Sequence, residues 1–150
     1  MNFEALSQGS GPAFDNSIKS IPGSLTGETV NQFFEVSIRL LNSSLIQPNK
    51  KSLVLIALYK TLKDQQYLAE FLHGSYLNQL PYDFTPINEQ LFDIFYIITE
   101  SGPLSYLTDE IITKFSTLIP LSPKKALSVL TNYAKRFNEV QNENWNIVLD

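Results

Sequence analysis

From residue 27 onward, apolar residues recur at the three- and four-residue spacing of α-helices. The clearest stripe lies within residues 28–44 and consists of Val30, Phe33, Phe34, Ile38 and Leu41. Further helices are predicted over residues 50–62, 64–73, 88–100, 108–118 and 123–137, with a short helix near 77–80. No useful length of the sequence alternates with the period of two typical of a β-strand, so the pattern predicts an all-α fold.

Capping residues and prolines predict where these helices begin and end. Asp64 can cap the helix that follows it, and Ser122 before Pro123 is an N-cap followed by proline at the first helical position. His73 is predicted to end the helix over 64–73, because Gly74 is the residue type expected just past a helix C-terminus.

The first part of the chain has a different composition. Ser, Gly and Pro cluster at residues 7–12 and 21–24, and few bulky apolar residues separate them. We predict a flexible N-terminal tail over residues 1–26, in which one turn around Ile18 and Ile21 could dock on the folded domain. The folded domain is then expected over residues 27–150.

Three strongly apolar segments suggest an internal repeat. Residues 52–59, 90–97 and 126–133 align at offsets of 38 and 36 residues. Two of the aligned sets are Leu53 with Leu91 and Leu127, and Ile56 with Ile94 and Leu130. A period of 36–38 residues with one strongly buried helix in each unit is typical of a helical solenoid of about three repeats. The alternative, that three Leu- and Ile-rich helices align by chance, stays open.

Residues 126–134, Ala-Leu-Ser-Val-Leu-Thr-Asn-Tyr-Ala, resemble the third helix of an armadillo repeat, whose pattern is close to Ala-x-x-x-Leu-x-Asn-x-Ala. Residues 108–118 would be the second helix of that unit, and residues 102–107 the short first helix. The resemblance is clearest over 102–137. Since the earlier units share only the apolar pattern, two-helix HEAT repeats remain an alternative for them. The resemblance implies a right-handed, armadillo-like solenoid.

In armadillo proteins the third helices line a concave groove that binds partners. Asn132 matches the binding Asn of the family, and Ser128 stands where importin-type repeats carry Trp. The resemblance therefore implies six partner-binding positions across the three units: Val54, Leu58, Phe92, Tyr96, Ser128 and Asn132. Only the last unit carries the Asn, so we expect a more apolar groove than one that reads basic nuclear-localisation peptides. Leu58, Phe92 and Tyr96 could equally be core, because period alone assigns no face to a fully apolar helix.

Composition and charge narrow the class of function. The chain has 11 basic and 15 acidic side chains, and its net charge of −4 argues against a nucleic-acid binder. The absence of Cys excludes disulfides and thiolate catalysis. The longest apolar run, residues 53–59, is far shorter than the ~20 residues of a membrane-spanning helix. With no signal-peptide pattern at the N-terminus, we expect a cytoplasmic protein that does not insert into membranes.

Candidate chemistry is sparse. His73, the single His, is better explained by a helix end than by catalysis, and Asp109 with Glu110 fits the first turn of a helix. No glycine-rich phosphate loop is found either. Taken together, these observations predict no catalytic residue, metal or cofactor. Lys50–Lys51 and Lys124–Lys125 occupy equivalent places in two units. They are interpreted as solvated helix starts, with a basic stripe for an acidic partner as the alternative.

The C-terminal residues suggest an uncovered apolar side. Asn138–Glu139 is predicted to open another helix, which carries Trp145, Val148 and Leu149. Since solenoids need polar end units, we expect the chain to be the N-terminal part of a longer protein, or this side to be covered by a partner or by self-association.

The leading hypothesis is a non-enzymatic interaction or scaffold module that presents a concave surface to a peptide or helix of a partner protein, or to later domains of its own chain. The alternative is a small structural α-helical protein that self-associates through its C-terminal apolar face.

Overall fold

The computed structural model describes Phe3, Leu6, residues 11–82 and residues 88–149, except for the side chains of residues 88 and 139–149. Within these ranges the chain forms seven α-helices and no strand, which confirms the predicted all-α class. The helices are α1 (Gly11–Ser20), α2 (Val30–Asn42), α3 (Pro48–Leu62), α4 (Gln65–His73), α5 (Asn88–Ser101), α6 (Asp109–Ser116) and α7 (Pro123–Leu149). Short 3-10 turns lie at Ile21–Gly23, Tyr76–Gln79, Leu104–Tyr106 and Ile119–Leu121.

The helices pack around α3. It contacts α1, α2, α4 and α5, while α5 in turn contacts α7, so that α1, α3, α5 and α7 follow one another in a row. On α6, the ring of Phe115 lies 4.8 Å from that of Phe95 and 5.8 Å from that of Phe92. These ring contacts join α6 to α5 and complete one continuous hydrophobic core.

Residues 11–23 of the N-terminal segment form a helix and a 3-10 turn, and Ile18 and Ile21, where a docked turn is predicted, are both buried. Residues 11–20 form α1, and its Phe14 and Ile18 are fully buried against the core. The ammonium group of Lys50 on α3 lies 2.6 Å from a carboxylate oxygen of Asp15. The four-residue spacing of Phe14 and Ile18 places both on one helix face, which outweighs the Ser/Gly/Pro composition around it.

Most predicted helix ends are confirmed. The carboxylate of Asp64 accepts a hydrogen bond from the backbone N–H of Gln66 at 2.9 Å, which caps α4. Gly74 follows α4 as predicted, but for a different reason. Its φ is −77°, and a Cβ added there would lie 2.5 Å from the ring of Tyr76. Space for that ring therefore requires glycine, and Ser75 adopts the left-handed conformation instead.

The last helix is longer than predicted. α7 begins at Pro123, as Ser122–Pro123 indicates, and continues without a break to Leu149. The separate helix predicted from Asn138–Glu139 is therefore wrong. Neither Gly nor Pro occurs between residues 124 and 149, so the sequence contains no helix breaker there.

The predicted register of the internal repeat does not match the observed burial. At the predicted offsets Leu91 is buried whereas the aligned Leu127 is 65% exposed. An offset of 37 residues, instead of 38, aligns buried positions of α3 with buried positions of α5: Val54 with Leu91, Leu55 with Phe92, and Leu58 with Phe95. The apolar pattern allowed both registers, because seven of the eight residues at 52–59 and six of the eight at 90–97 are apolar.

Candidate interaction surface

The surface between α5 and α7 contains two shallow depressions. Asp93 and Tyr96 on α5 line the first together with Lys125 and Ser128 on α7, around a volume of about 160 Å³. The second lies further along both helices, with a volume of about 230 Å³, and is lined by Thr99, Glu100, Asn132, Lys135 and Arg136. Since later residues of α5 face later residues of α7, the two helices run parallel.

Arg136 fastens α7 to the end of α5. Its guanidinium nitrogen Nη1 donates to the backbone carbonyl of Gly102 at 2.6 Å, and the same nitrogen lies 3.1 Å from the carbonyl of Thr99 and 3.3 Å from that of Ile98. Carbonyls at a helix C-terminus lack partners within the helix, and they carry the negative end of its dipole. The guanidinium of Arg136 donates hydrogen bonds to these carbonyls, and its positive charge interacts favourably with the negative end of the helix dipole. It therefore holds α7 against the end of α5.

Arg136 was missed at the sequence level, although a signal exists. Ala126, Val129, Tyr133 and Arg136 follow the three- and four-residue spacing of one helix face. A basic residue that continues an apolar face is a candidate for binding backbone carbonyls of the neighbouring helix.

Three of the six predicted partner-binding residues lie at this surface. Tyr96 is 43% exposed and shares the first depression with Ser128, while Asn132 lines the second. The side-chain nitrogen of Asn132 is buried and has no hydrogen-bond partner within the protein. Because this nitrogen is buried, it can donate to an acceptor that a ligand supplies only after the Asn132 side chain rotates toward the second depression.

The other three predicted residues are in the core. Val54 and Leu58 on α3 and Phe92 on α5 are fully or almost fully buried. Val54 and Leu58 are covered by neighbouring helices and cannot contact a partner in this conformation, so they belong to the core and not to the predicted groove. Phe92 is also buried, but it lines the first depression beside Tyr96 and Ser128. The physical reason is that α1, α2, α4 and α5 cover α3 on several sides. Aligning α3 with α7 by sequence does not reveal how many helices surround α3.

The charged residues along the two depressions have mixed signs. Asp93 and Lys125 line the first, and Glu100 and Lys135 line the second. The interpretation of Lys50–Lys51 as a solvated helix start is wrong, since Lys51 is 5% exposed and Lys50 pairs with Asp15. Consequently, these two lysines do not form an exposed stripe with Lys124 and Lys125.

The remaining candidate groups have structural surroundings. His73 ends α4, with its Nδ1 3.4 Å from the hydroxyl of Tyr106. Asp109 and Glu110 occupy the first turn of α6, as predicted. Within the described part of the chain, no group of three or more His, Cys, Asp or Glu residues could hold a metal ion.

Two tyrosines have perturbed acidities. Burial raises the pKa of Tyr82, whose hydroxyl donates to the carbonyl of Leu77 at 2.7 Å. Burial, together with the charges of Glu35 and Glu70, raises the pKa of Tyr76. Both phenols therefore ionise only at a higher pH than a free tyrosine. Neither tyrosine lines either depression.

The opposite flank of α7 is apolar. A cavity of about 70 Å³ lies between α5, α6 and α7, and its lining atoms are all apolar. Ile112 on α6 and Leu130 and Tyr133 on α7 line it, with Ile112 and Leu130 exposed at the surface. Trp145, Val148 and Leu149, predicted to form an apolar side, belong to α7 by sequence position, but their side chains lie outside the described residues.

No protein-family model, curated protein or solved structure matches this chain. Among the described residues, no helix is both long and apolar enough to cross a membrane.

Proposed function

We propose that this protein is a non-enzymatic interaction module of the cytoplasm, which binds an extended peptide segment of another protein along the surface between α5 and α7. In this proposal it is built as an armadillo-like helical repeat, and the bound peptide lies across Tyr96, Ser128 and Asn132.

The observation that carries the proposal is the unpaired amide nitrogen of Asn132. An extended peptide offers a row of backbone carbonyls, and one of them can accept a hydrogen bond from this nitrogen. A buried donor without a partner costs about 1–3 kcal/mol, so a ligand that supplies the acceptor recovers this cost on binding.

Side chains around Asn132 suit a peptide of mixed charge. Asp93 with Lys125, and Glu100 with Lys135, present both signs along the two depressions. The exposed ring of Tyr96 supplies a rigid contact area of the kind enriched in binding sites. The predicted peptide therefore carries both acidic and basic residues and one apolar side chain for Tyr96.

The arrangement of the helices supports the repeat interpretation. α1, α3, α5 and α7 follow one another in a row, and burial in α3 matches burial in α5 at an offset of 37 residues. The sequence resemblance to an armadillo unit is clearest over 102–137, which includes the first part of α7. The binding surface is accordingly assigned to α5 and α7, and α3 is excluded because its candidate side chains are buried.

The test is selection from a displayed library of random 12-residue peptides, followed by fluorescence anisotropy with the peptides obtained. We expect wild-type protein to enrich peptides whose dissociation constants rise about 10-fold or more for Asn132→Ala and for Tyr96→Ala. Leu45→Ala is the matched control, because Leu45 is 90% exposed and lies in the α2–α3 connection.

Circular dichroism must show that all three variants keep their helical content. Peptides that bind wild type and both surface variants equally would overturn the assignment of the surface. Failure to enrich any peptide would overturn the proposed function itself.

A further inference from the structure

Helices α3 and α5 have the same pattern of exposure. At the offset of 37 residues, buried positions from 52 to 63 match buried positions from 89 to 100, and positions that stay at least partly exposed match one another as well. On α3 the outward face includes Ile56, Tyr59, Lys60 and Lys63. The equivalent residues of α5 are Asp93, Tyr96, Ile97 and Glu100. The outward face of α3 is therefore distinct from Val54 and Leu58, whose burial removed α3 from the proposed peptide-binding surface.

The outward faces of α3 and α5 lie on the same side of the molecule. α2 and α4 pack on α3 and contact each other, while Leu72 on α4 and Ile111 on α6 line one cavity of about 100 Å³. α6 packs on α5 through Phe115, so α2, α4 and α6 form a second layer behind the row α1, α3, α5 and α7. What α3 and α5 leave exposed is on the opposite side of the row, where the two depressions between α5 and α7 also lie.

The three helices of this surface alternate in charge. α3 contains lysines and no acidic residue, α5 contains acidic residues and no basic residue, and residues 123–136 of α7 are again basic with no acidic residue. Glu100 and Lys135 line the second depression, and Lys63, just past the end of α3, is the equivalent of Glu100. Among the described residues, none of these three side chains forms an ion pair. Their charges are therefore available to a bound segment.

The spacing of packed helices converts this alternation into a sequence pattern. Neighbouring helices have axes about 8–10 Å apart, and an extended peptide advances about 3.3 Å per residue. A segment that crosses the row therefore takes about three residues to pass from one helix to the next. Residues complementary to α7, α5 and α3 would then recur at every third position of the segment.

We infer that the peptide bound at Asn132 continues over Glu100 to Lys63, and that it carries an acidic, a basic and a second acidic residue about three positions apart. The two acidic residues contact Lys135 on α7 and Lys63 on α3, and the basic residue contacts Glu100 on α5. The inference rests on the proposed peptide binding. It adds to that proposal the charge order of the partner and a contribution from the outward face of α3.

The first experiment compares two fluorescein-labelled peptides of equal composition with blocked termini. Gly-Glu-Ser-Leu-Lys-Thr-Ser-Glu-Gly has the inferred order of charges, and Gly-Glu-Glu-Leu-Ser-Thr-Ser-Lys-Gly does not. Fluorescence anisotropy at low ionic strength should give the first peptide a dissociation constant about 5-fold or more below that of the second. Because the difference is electrostatic, about 0.5 M salt should remove most of it.

The second experiment reverses one charge on α3. Lys63→Glu should raise the dissociation constant of the first peptide about 5-fold or more. Replacing one of the two Glu residues of that peptide with Lys, the one that faces α3, should restore binding to Lys63→Glu. Arg39→Glu is the matched control, because Arg39 is exposed in the last turn of α2, in the second layer, and it should leave binding unchanged. Circular dichroism checks that both variants fold.

The outcomes separate this inference from the proposed function. Equal binding of the two designed peptides, or equal effects of Lys63→Glu and Arg39→Glu, would overturn the inferred charge order and the part of α3. So would failure of both designed peptides to bind. In each case the proposed function stands if peptides selected from the library still depend on Asn132 and Tyr96, and it falls if selection yields no peptide.

Discussion

The apolar segments at residues 52–59 in α3 and 126–133 in α7 align in sequence but have very different surroundings. α3 is enclosed by α1, α2, α4 and α5, so that Val54, Leu55, Leu58 and Leu62 are all buried. α7 packs on α5 and borders α6 across the cavity, which leaves Leu127, Leu130 and Phe137 exposed. The comparison teaches that an apolar helix is a core element or an interaction surface according to how many neighbours cover it.

The largest predicted effect tests this comparison directly. Leu58→Ala on α3 should lower the free energy of unfolding by about 2–5 kcal/mol, because it removes a fully buried side chain and leaves a cavity. Leu130→Ala on α7 should lower it by about 1 kcal/mol or less, because Leu130 is 42% exposed.

Urea denaturation measures both values, at a protein concentration low enough that self-association does not contribute. Equal losses would show that α3 and α7 do not differ in burial as described.

An intermediate effect is expected for the contact that holds α7 in place. Arg136→Ala should lower the free energy of unfolding by about 1–3 kcal/mol, because the carbonyls at the end of α5 lose a charged donor. Lys135→Ala is the matched control, since Lys135 is adjacent and exposed, and it should change stability by less than about 0.5 kcal/mol. If the two variants unfold at the same urea concentration, Arg136 does not fasten α7.

The smallest effect concerns Tyr82, whose ring lies 6.0 Å from that of Phe95 on α5. Tyr82→Phe should cost about 0.5–1.5 kcal/mol near neutral pH, through loss of the hydrogen bond to Leu77. Tyr96→Phe on the exposed face of α5 should cost less than about 0.5 kcal/mol.

Tyr82 also predicts how stability depends on pH. Burial raises its pKa in the folded state, so the unfolded chain releases this proton first, above about pH 10. The contribution of the neutral phenol is fully present below that pH and is lost above it, by at most about 1.4 kcal/mol per pH unit. Urea denaturation as a function of pH should therefore show a shallower alkaline decline for Tyr82→Phe than for wild type. An unchanged decline would mean that Tyr82 ionises equally in both states.

Much of the fold could be predicted because local signals are strong in this sequence. The helix stripes, Asp64 as a cap and Ser122–Pro123 as a start all depend on residues within a few positions of one another. α1 was missed because Ser, Gly and Pro dominate its surroundings, and only the pair Phe14 and Ile18 indicates that it docks.

The candidate site was predictable only in part. Tyr96, Ser128 and Asn132 reach the surface between α5 and α7, whereas Val54, Leu58 and Phe92 are buried. In a helix that is apolar on all sides, the period identifies the helix and leaves its covered face undetermined. Arg136 was missed because its partners are backbone carbonyls of another helix, and the one signal for it is its position in line with the apolar face of α7.

The sequence by itself determined the all-α class and the positions of most helices, since helical periodicity and capping act over a few residues. Only the tertiary structure decided that α3 is interior, that α7 has an exposed flank, and that the amide nitrogen of Asn132 has no partner. The physical reason is that exposure and hydrogen-bond partners depend on which helices meet in space, and those contacts join residues far apart in the chain.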